Sequence, residues 1–345
     1  MGGRWRLAVA VVGMACAALW ARCEQTTLER VRAAGVLRCG VDAAEPEYTT
    51  ADGHGSRAAF DRDLCRAVAV AVLGDGAKTA IKEYPDDVAL MAALKAGDVD
   101  VAPTLPDDFT HSVGTALALT RPVLWDGVGF LVPAASGVIR ARQLSGKKVC
   151  FLADSAVEES VRAWFVREHL DFVPFPFQEE GEMQAALSTG NCASLAGERT
   201  HLAQTRAVFL KHGRRTRLLG ESVSNDPLAL AVRDNDREWL AMVSWVMEAL
   251  AGAEESGITQ ANARGLGANA AMEGDAGRRF WLGGSKQVGS GLGLDDGWVV
   301  RVIAAVGNYG EIYERDLGSG SAMKLPRGTN GLRRDGGALK ALPGR

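Results

Sequence analysis

Histidine is scarce in this chain, five residues in 345, and those five are scattered, with no CxxC or HxxxH spacing that would hold a metal. A basic surplus is also missing. The formal charge of −3 excludes a surface built to coat nucleic acid. Aromatic residues reach only 6%, and no low-complexity tract is present. Outside the N-terminus no apolar run approaches the ~20 residues needed to span a bilayer. GxSxG, GxxxxGK[ST] and HExxH are absent. Gly289-Ser290-Gly291-Leu292-Gly293 lacks the preceding strand and the third-glycine spacing of a dinucleotide loop, so it reads as a turn. What remains is a globular composition, 47% hydrophobic and 23% charged, at a length that fits about two domains.

Arg4 and Arg6 precede the apolar stretch Leu7–Leu19, and Ala15, Ala17, Ala18 and Ala21 supply small residues for cleavage. Residues 1–21 therefore read as an export signal, too short and wrongly flanked for an anchor. Arg22 before Cys23 does not suit lipoprotein processing. Losing the two arginines takes the formal charge from −3 to −5. Export implies an oxidising compartment, which gives meaning to Cys39, Cys65, Cys150 and Cys192. Four cysteines admit three pairings. Pairing neighbours gives Cys39–Cys65 and Cys150–Cys192, two staples each worth roughly 3–4 kcal/mol in the chain-entropy description.

Strand and helix signals then alternate. Strands are expected at Gly35–Val41, Ala80–Tyr84, Val99–Ala102 and Val128–Val132, with helices over Asp61–Leu73 and Val88–Ala96. The pattern recurs with strands Lys148–Leu152, Phe172–Phe177, Ser194–Leu195 and Leu228–Val232. Its helices are Val157–His169, Glu182–Ser188, Trp239–Ala253 and Trp298–Val306. Such alternation predicts α/β architecture with parallel sheets. Breaks near Pro133–Gly137 and Ser224–Pro227 divide it into two lobes with a cleft between them. Glu254-Glu255 and the basic run Lys211–Arg217 read as solvated surface.

Thr27–Val41, Asp61–Asp75, Pro227–Arg233, Ile258–Asn262 and above all Val306-Gly307-Asn308-Tyr309-Gly310-Glu311-Ile312-Tyr313-Glu314-Arg315 carry a resemblance. From about Thr27 to Arg345 the chain resembles the periplasmic amino-acid-binding proteins of ABC uptake systems (extracellular solute-binding family 3), general L-amino-acid type. The four cysteines fall where those relatives carry two disulfides. The resemblance implies a type II two-lobed clamp, each lobe a sheet flanked by helices, with a C-terminal extension. Residues 25–132 and 228–345 would form lobe 1 with the extension, and 133–227 lobe 2. Hinges are expected near Val132–Ala135 and Ser224–Leu228. The implied role is capture of a small polar ligand and its delivery to a membrane permease, as a monomer, without cofactor, metal, nucleic acid or catalysis.

The implied ligand contacts carry over unevenly. Relatives bind the ligand carboxylate with an arginine after the strand ending near Ala102. Here Pro103–Gly114 holds none, and His111, Ser112 or Val113 takes its place beside Thr104, Asp107 and Asp108. The Gly-Thr-Thr turn of relatives reads Asp154-Ser155-Ala156-Val157, keeping one hydroxyl and gaining an acid that repels a carboxylate unless turned outward. Glu198 stands where relatives place an aspartate for the ligand ammonium, with Arg199 beside it as a neutralising partner, and Tyr48 stands roughly where relatives place an aromatic wall. Tyr48, Thr104, Asp107, Asp154, Ser155 and Glu198 are thus the expected ligand-binding residues. With the cation-binding half kept and the anion-binding half lost, a cationic or carboxylate-free ligand is expected. The alternatives are a diverged non-transporting sensor, or an enzyme resembling cyclohexadienyl dehydratase that uses Glu198 or Asp107.

Overall fold

The computed structural model describes residues 25–42, 55–285 and 288–343. The expected signal segment 1–21, Cys16, Cys23 and Tyr48 lie outside the described residues. Among these residues no helix is long and apolar enough to cross a membrane.

In chain order the elements are α1 (Thr27–Ala34), β1 (Leu37–Asp42), α2 (Arg57–Leu73), β2 (Thr79–Tyr84), α3 (Asp87–Ala96), β3 (Ala102–Pro106), α4 (Phe109–Ser112), β4 (Leu117–Asp126) and β5 (Val128–Pro133). There follow β6 (Lys148–Leu152), α5 (Ala156–Arg167), β7 (Val173–Phe177), α6 (Glu180–Ser188), β8 (Ser194–Glu198), α7 (Arg199–Lys211) and β9 (Thr216–Leu218). The chain ends with β10 (Asp226–Arg233), α8 (Arg237–Glu255), α9 (Ala263–Gly267), α10 (Ala276–Trp281), α11 (Trp298–Val306), α12 (Tyr309–Asp316) and an extension tied down by 3-10 turns.

Two lobes result. The first holds the parallel pair β1–β2 and the sheet β3-β10-β4, and the second the sheet β7-β6-β8-β5-β9. The expectation of parallel sheets holds for β1–β2, β6–β7 and β6–β8 only. β3, β4 and β10 pair antiparallel, as do β5, β8 and β9, because the strands that cross between lobes run back against their neighbours. Strand β5, expected in the first lobe, pairs instead with β8 and β9, so the first crossing lies at Asp126–Val128 rather than Val132–Ala135. The chain returns to the first lobe at Ser224–Asp226, ahead of β10.

Apolar residues cover both faces of each lobe's sheet. Val68, Leu64, Val232, Trp239 and Val246 fill one side of the first lobe; Leu90, Leu94, Leu105 and Ala231 fill the other. In the second lobe Phe130, Phe151 and Phe165 pack on one side and Leu131, Leu187 and Leu195 on the other. The neighbour pairing of cysteines is observed. Cys39 of β1 joins Cys65 of α2, with Cα atoms 6.2 Å apart, and Cys150 of β6 joins Cys192 ahead of β8, at 5.9 Å.

Gly127 stands at the first crossing with φ +150°, where a Cβ would lie 2.5 Å from Ser224 O. Ser224 Oγ accepts from Val128 N (2.8 Å) and donates to Asp226 (2.7 Å), lashing the two crossings together. The extension closes over the first lobe. Asn330 takes both backbone groups of Trp125, and Arg327 grips Glu254 through two nitrogens (2.5 and 3.1 Å). Glu254 is therefore a half-buried ion-pair partner, not the solvated surface expected, because the extension covers it.

Candidate functional site between the lobes

The centre of the site is Arg57, which the sequence reading missed. It is the first residue of α2, capped by Ser56, whose Oγ accepts from Ala59 N. A helix's first N–H has no intrahelical acceptor, and that of Arg57 donates across the cleft to Gln204 Oε1 of α7 at 3.1 Å. Its guanidinium is mostly buried, with the side chain 18% exposed. Nη2 donates to Thr104 O (3.0 Å) and Oγ1 (3.3 Å) and lies 3.5 Å from Asp42; Nη1 lies 3.4 Å from Glu198 at the end of β8. One side chain thus bridges both lobes.

Carboxylates surround it. Asp42 ends β1, Asp61 lies one turn into α2, Asp87 begins α3, Asp126 ends β4 and Glu198 ends β8. Strand termini gather them because the carboxyl ends of the strands in both lobes face the cleft. Thr104 Oγ1 donates to Asp61 (2.8 Å), and Asp126 receives the Thr200 hydroxyl and the Gly127 N–H (2.9 Å). Burial pushes Asp61 up to about 7, with Arg57 and the Thr104 bond opposing and Asp42 adding repulsion. Burial and the nearby Glu198 charge raise Asp126 to about 6. Burial and Asp42 raise Asp87 to about 6. Asp42 is raised too, by burial first, with the Arg57 charge opposing and Glu198 adding repulsion. Burial alone would lower Arg57, but Glu198, Asp61, Asp42 and Asp126 outweigh it and hold the guanidinium charged. Within this site two buried atoms face no hydrogen-bond partner among the described residues: Asp42 Oδ1, an acceptor, and Arg57 Nε, a donor.

Of the expected residues, the structure brings Thr104 and Glu198 together through Arg57. Ser155 caps α5, accepting from Glu158 N and donating to Leu152 O (2.6 Å), and lines a cavity in the second lobe beside Glu198. Asp107 is half-buried, donates its N–H to Pro227 O and forms no ion pair among the described residues. Asp154 is exposed at a left-handed turn, φ 55°, which removes the expected repulsion. Arg199 does not neutralise Glu198: its Nη1 donates to Leu219 O and Glu221 O, so Arg57 is the partner. His111, beside the missing arginine, lies 2.8 Å from Asp108 and 4.0 Å from Asp87. Ser56 marks a helix start in the sequence, but only the folded chain turns Arg57 onto acids from four other elements.

Two lobes joined by two crossings, with ionised groups from both meeting in the cleft, define a ligand-binding clamp of the periplasmic-binding-protein type. No protein-family model matches the chain. It is 36% identical over 342 residues, 98% of each chain, to the general L-amino acid-binding periplasmic protein AapJ of Rhizobium johnstonii. It is 33% identical over 344 residues (99% of this chain, 97% of the relative) to the glutamate/glutamine/aspartate/asparagine-binding protein BztA of Rhodobacter capsulatus. A solved ABC-transporter periplasmic binding protein from Brucella ovis, with glutathione bound, matches with TM-score 0.75 and 32% identity, covering 93% of this chain and 99% of that one. The chain belongs to the amino-acid-binding periplasmic proteins of ABC transporters. It is a periplasmic solute-binding component that holds a small polar molecule and serves a membrane permease; its curated relatives are transport proteins.

Proposed function

We propose that the ligand is an amine or amino-acid derivative whose positive charge is not balanced by a free carboxylate. The observation that carries this is the charge of the cleft: Asp42, Asp61, Asp87, Asp126 and Glu198 surround one guanidinium, which Glu198 and Asp42 already engage. A ligand ammonium entering there meets unused carboxylate oxygen, including Asp42 Oδ1. A ligand carboxylate meets repulsion of several kcal/mol at short range. We take the lobes as 25–127 with 225–343, and 128–224, closing by rotation at Gly127 and Ser224–Asp226. The protein acts as a monomer and performs no turnover. Thr104, Ser155 and Glu198 stay in the proposed contact set, with Arg57, Asp42 and Asp87 added. Asp107 and Asp154 remain proposals at its rim, and Tyr48 remains a proposal from the sequence alone.

A second reading has its own support. Arg57 Nε is a buried donor without a partner among the described residues, and the relatives' names specify ordinary amino acids. Arg57 would then leave Glu198 to the ligand ammonium and turn to its carboxylate. Thermal unfolding of the exported, oxidised protein against amino acids, their amides, polyamines and betaines separates the two. A ligand at ~100 times its Kd adds about 2.7 kcal/mol, a shift of roughly a couple of degrees or more. Shifts with amides and amines alone support the cationic ligand. Shifts with common L-amino acids that match or exceed them support the second reading.

A further inference from the structure

Behind Glu198 the second lobe contains a cavity of about 210 Å3 that the charge argument leaves unused. Its apolar walls come from Leu152, Val157, Met183, Leu195 and Leu202, with Glu180 and His201 also lining it and Glu198 and Ser155 at its mouth. Leu195, Met183 and Leu202 belong to the apolar layer over this face of the sheet. The polar side chains on its wall are already occupied within the protein. The Ser155 hydroxyl is shared between Leu152 O and Glu158 N. His201 Nε2 and Gln184 Nε2 each lie 2.6 Å from Glu180 Oε1. Thr205 Oγ1 donates to His201 O. A guest in this space therefore gains apolar contact, and its charge is left at the mouth. An apolar cavity of about 150 Å3 is large enough for a benzene, so 210 Å3 takes a phenyl ring or a short alkyl chain.

Building on the cationic reading, we propose that this cavity is the specificity subsite of the clamp, and that the ligand is an amine bearing one apolar arm. The ammonium sits at Glu198 and Asp42 between the lobes, and the arm enters the second lobe between Leu152, Met183 and Leu202. Ligand selection then follows arm length, because each methylene removed from water strengthens binding by roughly threefold to fourfold. A carboxylate at the far end of the arm is rejected, since it meets Glu180 on the wall.

The test is calorimetric titration of the exported, oxidised protein with ethylamine, n-butylamine, n-hexylamine and phenethylamine. The matching L-amino acids, alanine, norvaline, 2-aminoheptanoic acid and phenylalanine, run alongside. Two variants accompany it: Leu152→Trp, which fills the space with a larger wall side chain, and Met183→Ala, which enlarges it. Far-ultraviolet dichroism verifies that each is folded. The expected result is affinity that climbs from ethylamine to phenethylamine, a flat series in Leu152→Trp, and a preference moved toward longer arms in Met183→Ala. Equal binding of all amines would overturn the subsite and leave the cationic reading standing. Amino acids that tighten with arm size, lose that trend in Leu152→Trp and outbind their amines would keep the subsite and overturn the cationic reading. Binding of neither series would overturn both.

Discussion

Asp61 is the residue whose behaviour is most sharply dictated by its surroundings. An aspartate in an unfolded chain titrates near about 3.9, and in the fold this one is pushed up to about 7, with Asp87 and Asp126 at about 6. A raised carboxyl means that the folded protein binds more protons than the unfolded chain between those values. The associated stability is fully present below about pH 4 and is lost as pH rises through 6 to 7. The ligand-free protein is therefore expected to melt at lower temperature at pH 8 than at pH 5.5, and Asp61→Asn to flatten that slope, as thermal melts across the range would record. The same ionisation strengthens a cationic ligand, so amine affinity should rise over pH 5.5–7.5. Glu198→Gln should weaken amine binding about tenfold to a hundredfold, discounted for the half-exposed side chain. Thr104 and Glu198 were legible from the family resemblance. Arg57, Asp42, Asp87 and Asp126 were not, because their assembly is a property of strand ends brought together by the fold.

At the scale of elements, the periodic segments were read well. Lys148–Leu152 and Trp298–Val306 match the observed bounds, and α2, α3, α5 and α8 differ by a few residues at their ends. Among the elements missed are β4 and α7. β4 carries Thr120-Arg121-Pro122 in its middle, which breaks an alternating pattern. The strand tolerates proline because it lies at the edge of β3-β10-β4, at a register shift opposite Ala229. α7 mixes Thr, His, Gln and Arg among its apolar residues because one side meets its own sheet and another meets α2 and the extension. The staples are predicted to act at this scale. Replacing Cys150 and Cys192 together by alanine should cost about 2–5 kcal/mol in urea titration of the oxidised protein, with the unfolding slope raised by the freed loop. Gly127→Ala should cost at least about 2 kcal/mol, from its φ of +150° and the encounter with Ser224 O.

Across the whole molecule, the lobes meet through few polar links. Arg57 reaches Glu198 and Gln204, Asp126 receives the Thr200 hydroxyl, and Arg206 of α7 donates to the Met323 and Lys324 carbonyls of the extension. A clamp held this way closes only as far as its cleft charges allow. With the cleft acids ionised, Arg57 is the cation that offsets them, and a ligand ammonium adds a second. Closure driven by ligand then requires a difference in affinity between open and closed forms, which the paired acids of both lobes supply to a cation and deny to an anion. The most direct measurement is calorimetric titration of the exported, oxidised protein at pH 7.5 with L-leucine and with L-leucinamide, a pair differing in one negative charge. Leucinamide is predicted to bind at least about tenfold more tightly, the equivalent of 1.4 kcal/mol. Leucine binding as tightly as leucinamide, or more so, would contradict the account.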